Sequence, residues 1–191
     1  MVWVRRSYLA RFSVYFAVVS MIAGSLYGAD KQVQQGGVGL KAGFLHKATF
    51  TVNKTEYDSK MGLNVGVFFD VPAYSLTMVS VAADFRDIQI LDHRQWMLDL
   101  SIGLKPTIYK EKSRLAVKPG VAVGFGYLPD IAWLSSTTYL TLKASTEVLF
   151  LVTRKYAYVA EFMVFSAPVG GNRQLEISTS PTISLRLGVM Y

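Results

Sequence analysis

The sequence predicts an all-β fold, an eight-stranded antiparallel up-and-down β-barrel that crosses a membrane. Three observations lead to this fold class. Eight segments alternate apolar and polar residues with a period of two, the connectors between them are alternately short and long, and the last segment stays apolar at every second position to its end. This alternation gives a strand one apolar face. Short connectors on one side and long ones on the other are typical of membrane barrels.

The closing segment is the most informative of the eight. Its apolar row at every second position consists of Ile183, Leu185, Leu187, Val189 and Tyr191. In most soluble domains the terminus frays and carries polar residues. The row therefore indicates an outer face that meets something other than water. From these residues alone, an ordinary C-terminal strand of a soluble sheet remains an alternative.

Residues 1–29 have the order of a secretory signal peptide. A basic start precedes an apolar run over residues 12–22, and small residues follow up to Ala29. The run is short for a membrane-spanning helix. We expect cleavage after Ser25 or Ala29, which leaves residues 30–191 as one outer-membrane β-barrel domain. An uncleaved anchor helix is the alternative.

Composition narrows the class of protein. The chain is 51% hydrophobic and has no cysteine, and beyond the leader no apolar run approaches the length of a membrane helix. The net charge of +7 includes three leader arginines, so the chain after residue 29 carries 17 − 13 = +4. No basic stripe with interleaved aromatic residues occurs, so a nucleic-acid partner is not indicated.

The predicted strands share an apolar face that is opposed by glycine and charged residues. They cover residues 38–44, 61–71, 74–83, 96–105, 115–127, 139–151, 156–165 and 183–191. The first two alternate without interruption. In the third, Leu76 and Met78 fit one phase whereas Val79 and Val81 fit the other. We therefore expect a β-bulge near Val79.

The fourth to eighth strands follow the same pattern. In the fifth, Pro119 interrupts the apolar row and costs a ladder hydrogen bond unless a bulge or an edge accommodates it. The fourth strand places Asp99 on the polar face, the sixth and seventh place Glu147 and Glu161 there, and the eighth places Arg186 there.

The connectors predict which end of the barrel faces outward. We expect tight turns at residues 71–74, 110–113 and 153–155, and long polar loops at residues 46–60, 84–95, 128–138 and 166–182. In an up-and-down membrane barrel the turns lie in the periplasm and the loops outside the cell. An apolar patch at residues 131–134 could meet a partner or fold over the barrel mouth.

A soluble, lipocalin-like barrel would alternate in the same way with its apolar face inward, so periodicity alone does not exclude it. The polar face carries many glycines, such as Gly39, Gly66, Gly124 and Gly126. Small residues suit a narrow, crowded interior but would weaken a solvated outer face. Aromatic residues also gather near strand ends, as the girdles of a membrane barrel require. Both features favour an apolar face directed at lipid.

The chain resembles a known family, the small bacterial outer-membrane β-barrel proteins often labelled "porin family". The motifs that carry the resemblance are VGLKAGF at residues 38–44, LAVKPGVAVGFGYL at residues 115–128 and the closing strand. The resemblance implies residence in the outer membrane, with contacts to its lipids and lipopolysaccharide. It also implies insertion by periplasmic chaperones and the barrel-assembly machinery. An assembly signal would be read at Leu185, Leu187, Val189 and Tyr191.

The polar face predicts a charged lumen. The expected inward charges are Lys41, Asp70, Asp99, Lys105, Lys118, Lys143, Glu147, Glu161 and Arg186. Glutamates that face each other across a hairpin repel unless a cation lies between them. We hypothesise that Arg186 and a lysine bridge Glu147 and Glu161 near mid-height, so that a cluster with Lys41, Lys118 and Asp99 plugs the barrel. The alternative is that these charges only pack as polar groups.

No catalytic, metal or cofactor site is predicted. The two histidines, His46 and His93, fall in different predicted loops, and neither belongs to a nucleophile or metal motif. No His, Ser and acid cluster, which a lipid A-modifying barrel would need, occurs on the apolar face. A structural or surface-contact barrel with a filled lumen is the favoured function. A narrow channel for small or hydrophobic solutes and a lipid A-modifying enzyme remain as alternatives.

Overall fold

A computed structural model describes residues 36–74, 76–90, 93–109, 113–130, 135–153, 155–171 and 176–191. The predicted signal peptide and the apolar patch at residues 131–134 lie outside these ranges. The described part of the chain contains no helix long and apolar enough to cross a membrane.

The described residues form an all-β fold. The strands are β1 Gly37–Leu45, β2 Thr49–Val52, β3 Thr55–Asp58, β4 Gly62–Tyr74, β5 Thr77–Ile90, β6 His93–Pro106, β7 Ile108–Tyr109, β8 Leu115–Leu128, β9 Thr137–Leu151, β10 Ala157–Gly171, β11 Glu176–Thr179 and β12 Thr182–Met190.

Eight of these strands form a closed antiparallel ring. The order is β1, β4, β5, β6, β8, β9, β10 and β12, and β12 pairs with both β10 and β1. At the closing seam, Val38 and Tyr191 exchange two backbone hydrogen bonds of 2.8 Å. The eight ring strands are the eight predicted from alternation, which confirms the predicted fold class.

The two faces of the ring differ as the alternation requires. In β12, Leu187 is 71% exposed whereas the neighbouring Arg186 is 4% exposed. The same pattern of exposed apolar and buried polar side chains runs along β1, β4 and β6. The apolar face therefore lies outside, which excludes the lipocalin-like alternative.

Several predicted loops are strands instead. The predicted loop at residues 84–95 belongs mostly to the wall, because β5 runs to Ile90 and β6 starts at His93. Residues 46–60 contain β2 and β3, and β10 continues to Gly171 before β11. The prediction failed here because it followed the outward apolar row. That row ends after Phe85 in β5, although the hydrogen-bond ladder with β6 continues to Ile90.

The expected bulge near Val79 is wrong. β5 stays in unbroken register with β6 from Thr77 to Ile90, and the irregularity lies in β4 between Pro72 and Tyr74. Met78 is fully buried and belongs to the inward row. The alternation therefore predicted a change of phase where the strand only has an apolar residue on its inner face.

Pro119 is accommodated by a gap in one ladder. β8 pairs with β9 through Pro119 without a shift. On its other side, the pairing stops at Leu104 with Val121 and resumes at Ile108 with Val117. The unchanged register places Pro106 opposite Pro119. Since neither residue has a backbone N–H, the gap falls where the ladder has the fewest bonds to lose.

A small sheet extends the ring at the end with the longer connectors. It consists of β11, β2 and β3, joined in this order to the C-terminal part of β10. We call this end of the ring the upper end, and we name the small sheet the cap sheet. Its residues Phe50, Val52 and Ile177 are buried in a cluster with Leu45 and Phe165 from the ring strands.

Two hydrophobic clusters occupy the two ends of the ring. The upper cluster comprises Leu45, Ala48, Phe50, Val52, Ile88, Met97, Leu128, Tyr139, Met163, Phe165, Ala167 and Ile177. The lower cluster, at the end with the short turns, comprises Phe68, Ala116, Leu149, Ala157, Val159 and Met190.

Inward glycines make room for large rings. A Cβ atom on Gly39 would collide with the Phe68 ring, and one on Gly126 would collide with the Tyr139 ring.

We expect Gly126→Val to lower the free energy of unfolding by about 1–3 kcal/mol, the usual cost of overpacking. Urea unfolding in detergent micelles, followed by heat-modifiable migration on a gel, measures this change. Ala160→Val, on the exposed face of β10, is the control, and equal stability of the two variants would contradict the prediction.

Candidate functional site

The lumen between the two clusters contains a layer of buried charge. Its cations are Lys41, Arg86, Lys105, Lys118, Lys143 and Arg186, and its acids are Asp70, Asp84, Asp99, Glu147 and Glu161. We name this set the charge layer. The structure places in it every charged residue that the sequence predicted on the inner face. The layer also contains Asp84 and Arg86, which the sequence analysis assigned to a loop.

Alternation around Phe85 was the signal that could have found Asp84 and Arg86. Phe85 is exposed, whereas both of its neighbours are buried. These three residues continue the period-two pattern of β5 beyond its last small residues. Their charge nevertheless favours a polar loop, because charged residues usually lie in solvated segments.

The first pair of acids consists of Glu147 and Glu161, which face each other directly across β9 and β10. Lys41 Nζ from β1 lies 2.5 Å from Glu147 Oε1 and 3.0 Å from Glu161 Oε1. Arg186 Nε donates a 2.5 Å hydrogen bond to Glu161 Oε2. A lysine therefore contacts both acids, and Arg186 contacts one of them. This offsets the repulsion that two unpaired carboxylates would produce.

The second pair of acids consists of Asp84 and Asp99, directly opposed across β5 and β6. Lys143 Nζ contacts both carboxylates and lies 2.6 Å from Asp84 Oδ2. Arg186 also contacts Asp84, and Arg86 lies 3.6 Å and 3.7 Å from the two acids. The second pair thus repeats the arrangement of the first.

Asp70 connects the remaining lysines to the layer. It lies 3.3 Å from Lys105 Nζ and 3.0 Å from Lys118 Nζ. Lys105 Nζ also lies 2.6 Å from Glu147 Oε1, which joins this group to the first acid pair. The resulting chain of contacts takes at least one side chain from each of the eight ring strands.

Aromatic rings bound the charge layer from both ends. Phe68 of the lower cluster lies under Lys41 and Lys105, with its centroid 4.2 Å and 4.9 Å from the two Nζ atoms. Phe165 of the upper cluster lies 4.0 Å from the guanidinium carbon of Arg86. A cation over an aromatic face is electrostatically favoured. The cations of the charge layer therefore contact the two apolar clusters through the faces of aromatic rings, which attract positive charge.

A cavity of about 30 Å³ lies inside the charge layer. Its side toward β6 and β8 is formed by small residues, including Gly103, Gly120 and Ala122. The charged groups on its lining are Lys41, Asp84, Lys105, Lys143, Glu161 and Arg186. A space of this size has room for one or two water molecules or a small ion.

The residues of the predicted assembly signal lie on the outer face of β12 and at the chain end. Leu185, Leu187 and Tyr191 are exposed, and Val189 is partly exposed. Their recognition by assembly machinery remains a prediction. His46 and His93 are both exposed. Within the described ranges, no group of three potential metal ligands comes together.

Comparison with known proteins finds similarity at the level of the fold. No protein-family model matches the chain, and no curated protein matches it in sequence. Neisserial surface protein A has 9% identity and a TM-score of 0.51, covering 80% of this chain and 98% of that one. The outer membrane protein OprG from Pseudomonas aeruginosa has 10% identity and a TM-score of 0.58, covering 85% of this chain and 98% of that one.

These structures are similar to this chain along nearly their whole length. The similarity shows the fold of small bacterial outer-membrane β-barrels, and it confirms the fold class that the sequence predicted. Together with the exposed apolar face, this fold supports the bacterial outer membrane as the location of the protein.

The charge layer predicts a specific loss of stability. Lys41→Met removes the cation that contacts both Glu147 and Glu161, but Lys105 still contacts the first and Arg186 the second. Because each acid keeps a partner, we expect a loss of about 1.5–3 kcal/mol, the usual contribution of hydrogen bonds to charged groups, rather than the full cost of an unpaired buried charge. We expect the urea concentration at the midpoint of unfolding in micelles to be lower for this variant than for the wild type. Lys47→Met, which removes an exposed lysine, is the matched control and should unfold like the wild type.

A second substitution separates charge from packing. Adding Glu161→Gln to Lys41→Met removes one of the two facing carboxylates, so part of the lost stability should return. If the double variant is no more stable than Lys41→Met alone, repulsion between the glutamates is not the cause of the loss.

Proposed function

We propose that the protein is an integral outer-membrane β-barrel whose lumen is closed by its own side chains and which serves a structural or surface-contact role. The observation that carries this proposal is the charge layer, which crosses the lumen between two apolar clusters. An eight-stranded barrel is just wide enough for its side chains to fill it.

Burial at both ends supports the closed lumen. Phe68, Leu149 and Met190 of the lower cluster are almost completely buried, as are Phe50 and Phe165 of the upper cluster. A hydrated ion entering from either end would first displace apolar side chains and then break ion pairs. Each of these steps opposes conduction.

The cap sheet supports a role in surface contact. Its apolar side is directed at the upper cluster, while Lys54, Glu56 and Asp58 are exposed. In an up-and-down membrane barrel the longer connectors lie outside the cell.

We therefore propose lipopolysaccharide and outer-membrane lipids as the surroundings of the protein, and the barrel-assembly machinery and periplasmic chaperones as partners during insertion. The similar neisserial protein carries the name of a surface protein.

Planar-bilayer recording tests the closed lumen. Purified protein whose folding is verified by heat-modifiable migration should give no large, steady conductance, since the ion pairs of the charge layer lie across the lumen. A large-pore porin inserted in the same bilayer is the positive control. Steady openings of the wild-type protein would overturn the closed-lumen proposal.

A narrow channel is the second candidate function. The cavity in the charge layer favours this candidate. It adjoins the interrupted ladder between β6 and β8, because Lys105 and Gly120 line the cavity and also lie in the unpaired stretch of these strands. Uptake of small or hydrophobic solutes by liposomes containing the protein would support this candidate against the closed barrel.

A further inference from the structure

The buried charges of the lumen do not balance. Among the described residues, six buried cations and six buried acids occur. One of the acids, Asp87, lies two residues from the exposed Phe85 and therefore on the same outer side of β5. There it pairs with Arg94, whose side chain is 63% exposed. The lumen itself therefore holds six cations against five acids. An uncompensated charge in a low-dielectric interior is costly.

Cations outnumber acids on the lining of the cavity. Four of the charged residues on its lining are cations (Lys41, Lys105, Lys143 and Arg186), and two are acids, Asp84 and Glu161. The lining also contains Ser80, whose hydroxyl is buried and has no hydrogen-bond partner among the described residues. A buried polar group without a partner calls for one that the protein itself does not supply.

The ammonium groups of Lys41 and Lys105 each retain one N–H donor, whereas Lys143 donates to Asp84 and Ser101 and also contacts Asp99. Each lysine has three N–H donors. Lys41 donates to Glu147 and Glu161, and Lys105 donates to Asp70 and Glu147, so each uses two. The Ser80 hydroxyl provides a further donor at the same cavity. Cationic groups, hydrogen-bond donors and a small volume occur together there.

We propose that this cavity binds a small monovalent anion, chloride, as a structural counter-ion of the charge layer. Chloride accepts hydrogen bonds from ammonium and hydroxyl groups and brings the lumen charge to zero. Water would fill the volume and satisfy Ser80, but it would leave the net charge. Large anions such as gluconate do not fit the volume. This inference concerns the interior alone, so it is independent of the proposed surface role.

Chloride dependence of stability tests the site. Urea unfolding of the full-length mature protein in micelles is measured while sodium chloride replaces sodium gluconate at constant ionic strength. A ligand that binds only the folded state should raise the folding equilibrium constant about tenfold when its concentration reaches ten times its dissociation constant. Equal stability in the two salts would overturn the proposal.

Two variants identify the cavity as the origin of the effect. Lys105→Met removes the excess charge and should abolish the chloride dependence, whereas Lys47→Met removes an exposed charge and should keep it. Because Lys105→Met also leaves Asp70 and Glu147 with one partner fewer, Ser80→Ala is the second variant. It keeps every charge and should weaken the dependence several-fold. Ser166→Ala, whose hydroxyl donates to the Thr179 carbonyl away from the cavity, is its control. Full dependence in both cavity variants would overturn the proposal.

Diffraction locates the ion. Crystals grown with sodium bromide should show an anomalous peak inside the cavity between Ser80 and Lys105. A peak at this position without any halide effect on stability would show an adventitious ion only, which would overturn the proposal. Failure here leaves the conductance experiment unaffected, since that experiment measures passage through the lumen and not occupancy of the cavity.

Discussion

The fold depends on one electrostatic constraint, which is that two pairs of acids face each other directly inside the barrel. Glu147 opposes Glu161, and Asp84 opposes Asp99. Like charges in register repel, so each pair is stable only with a cation between its members. Arg186, the ladder neighbour of Glu161 on β12, contacts only that one of the two glutamates, and the lysine that contacts both, Lys41, comes from β1 on the far side of β12. Side chains from distant strands are thereby held together at the centre of the lumen.

This constraint also explains the layered interior. Ion pairs gain strength in a low-dielectric surrounding, but isolated charges there are strongly destabilising. In the charge layer no charge is isolated, because its carboxylates and cations contact each other repeatedly. Phe68 and Phe165 border the layer on opposite sides and keep its surroundings apolar. The outer face carries the apolar residues that lipid requires. The barrel is therefore apolar outside and charged at its centre, the reverse of a soluble β-barrel.

Much of this arrangement could be predicted from sequence because a strand has a period of two. The alternation of Leu185, Arg186 and Leu187 identified both faces of β12, and the same rule placed Glu147 and Glu161 inside. The rule failed where its assumption failed. Met78 is an apolar residue on the inner face, and Asp84 and Arg86 lie near the point where the outward apolar row ends. The sequence indicated that Arg186 and a lysine would lie near the two glutamates, but it could not identify the lysine as Lys41. Contacts between β1, β9 and β10 depend on closure and shear of the ring, which no local pattern records.

Closure gives the buried charges a further consequence for the register of the seam between β1 and β12. In the observed register Lys41 faces Gly188 and Gly43 faces Arg186, so both cations point inward beside small residues. A slip of one residue in either strand would turn its whole side-chain pattern to the other face. Lys41 or Arg186 would then enter the lipid, where a basic residue costs about 2–4 kcal/mol at the midplane, and its carboxylate partners would remain unpaired inside. Both penalties disfavour every neighbouring register at once. The charges thus contribute more to selecting a single closed ring than their modest net contribution to stability would suggest.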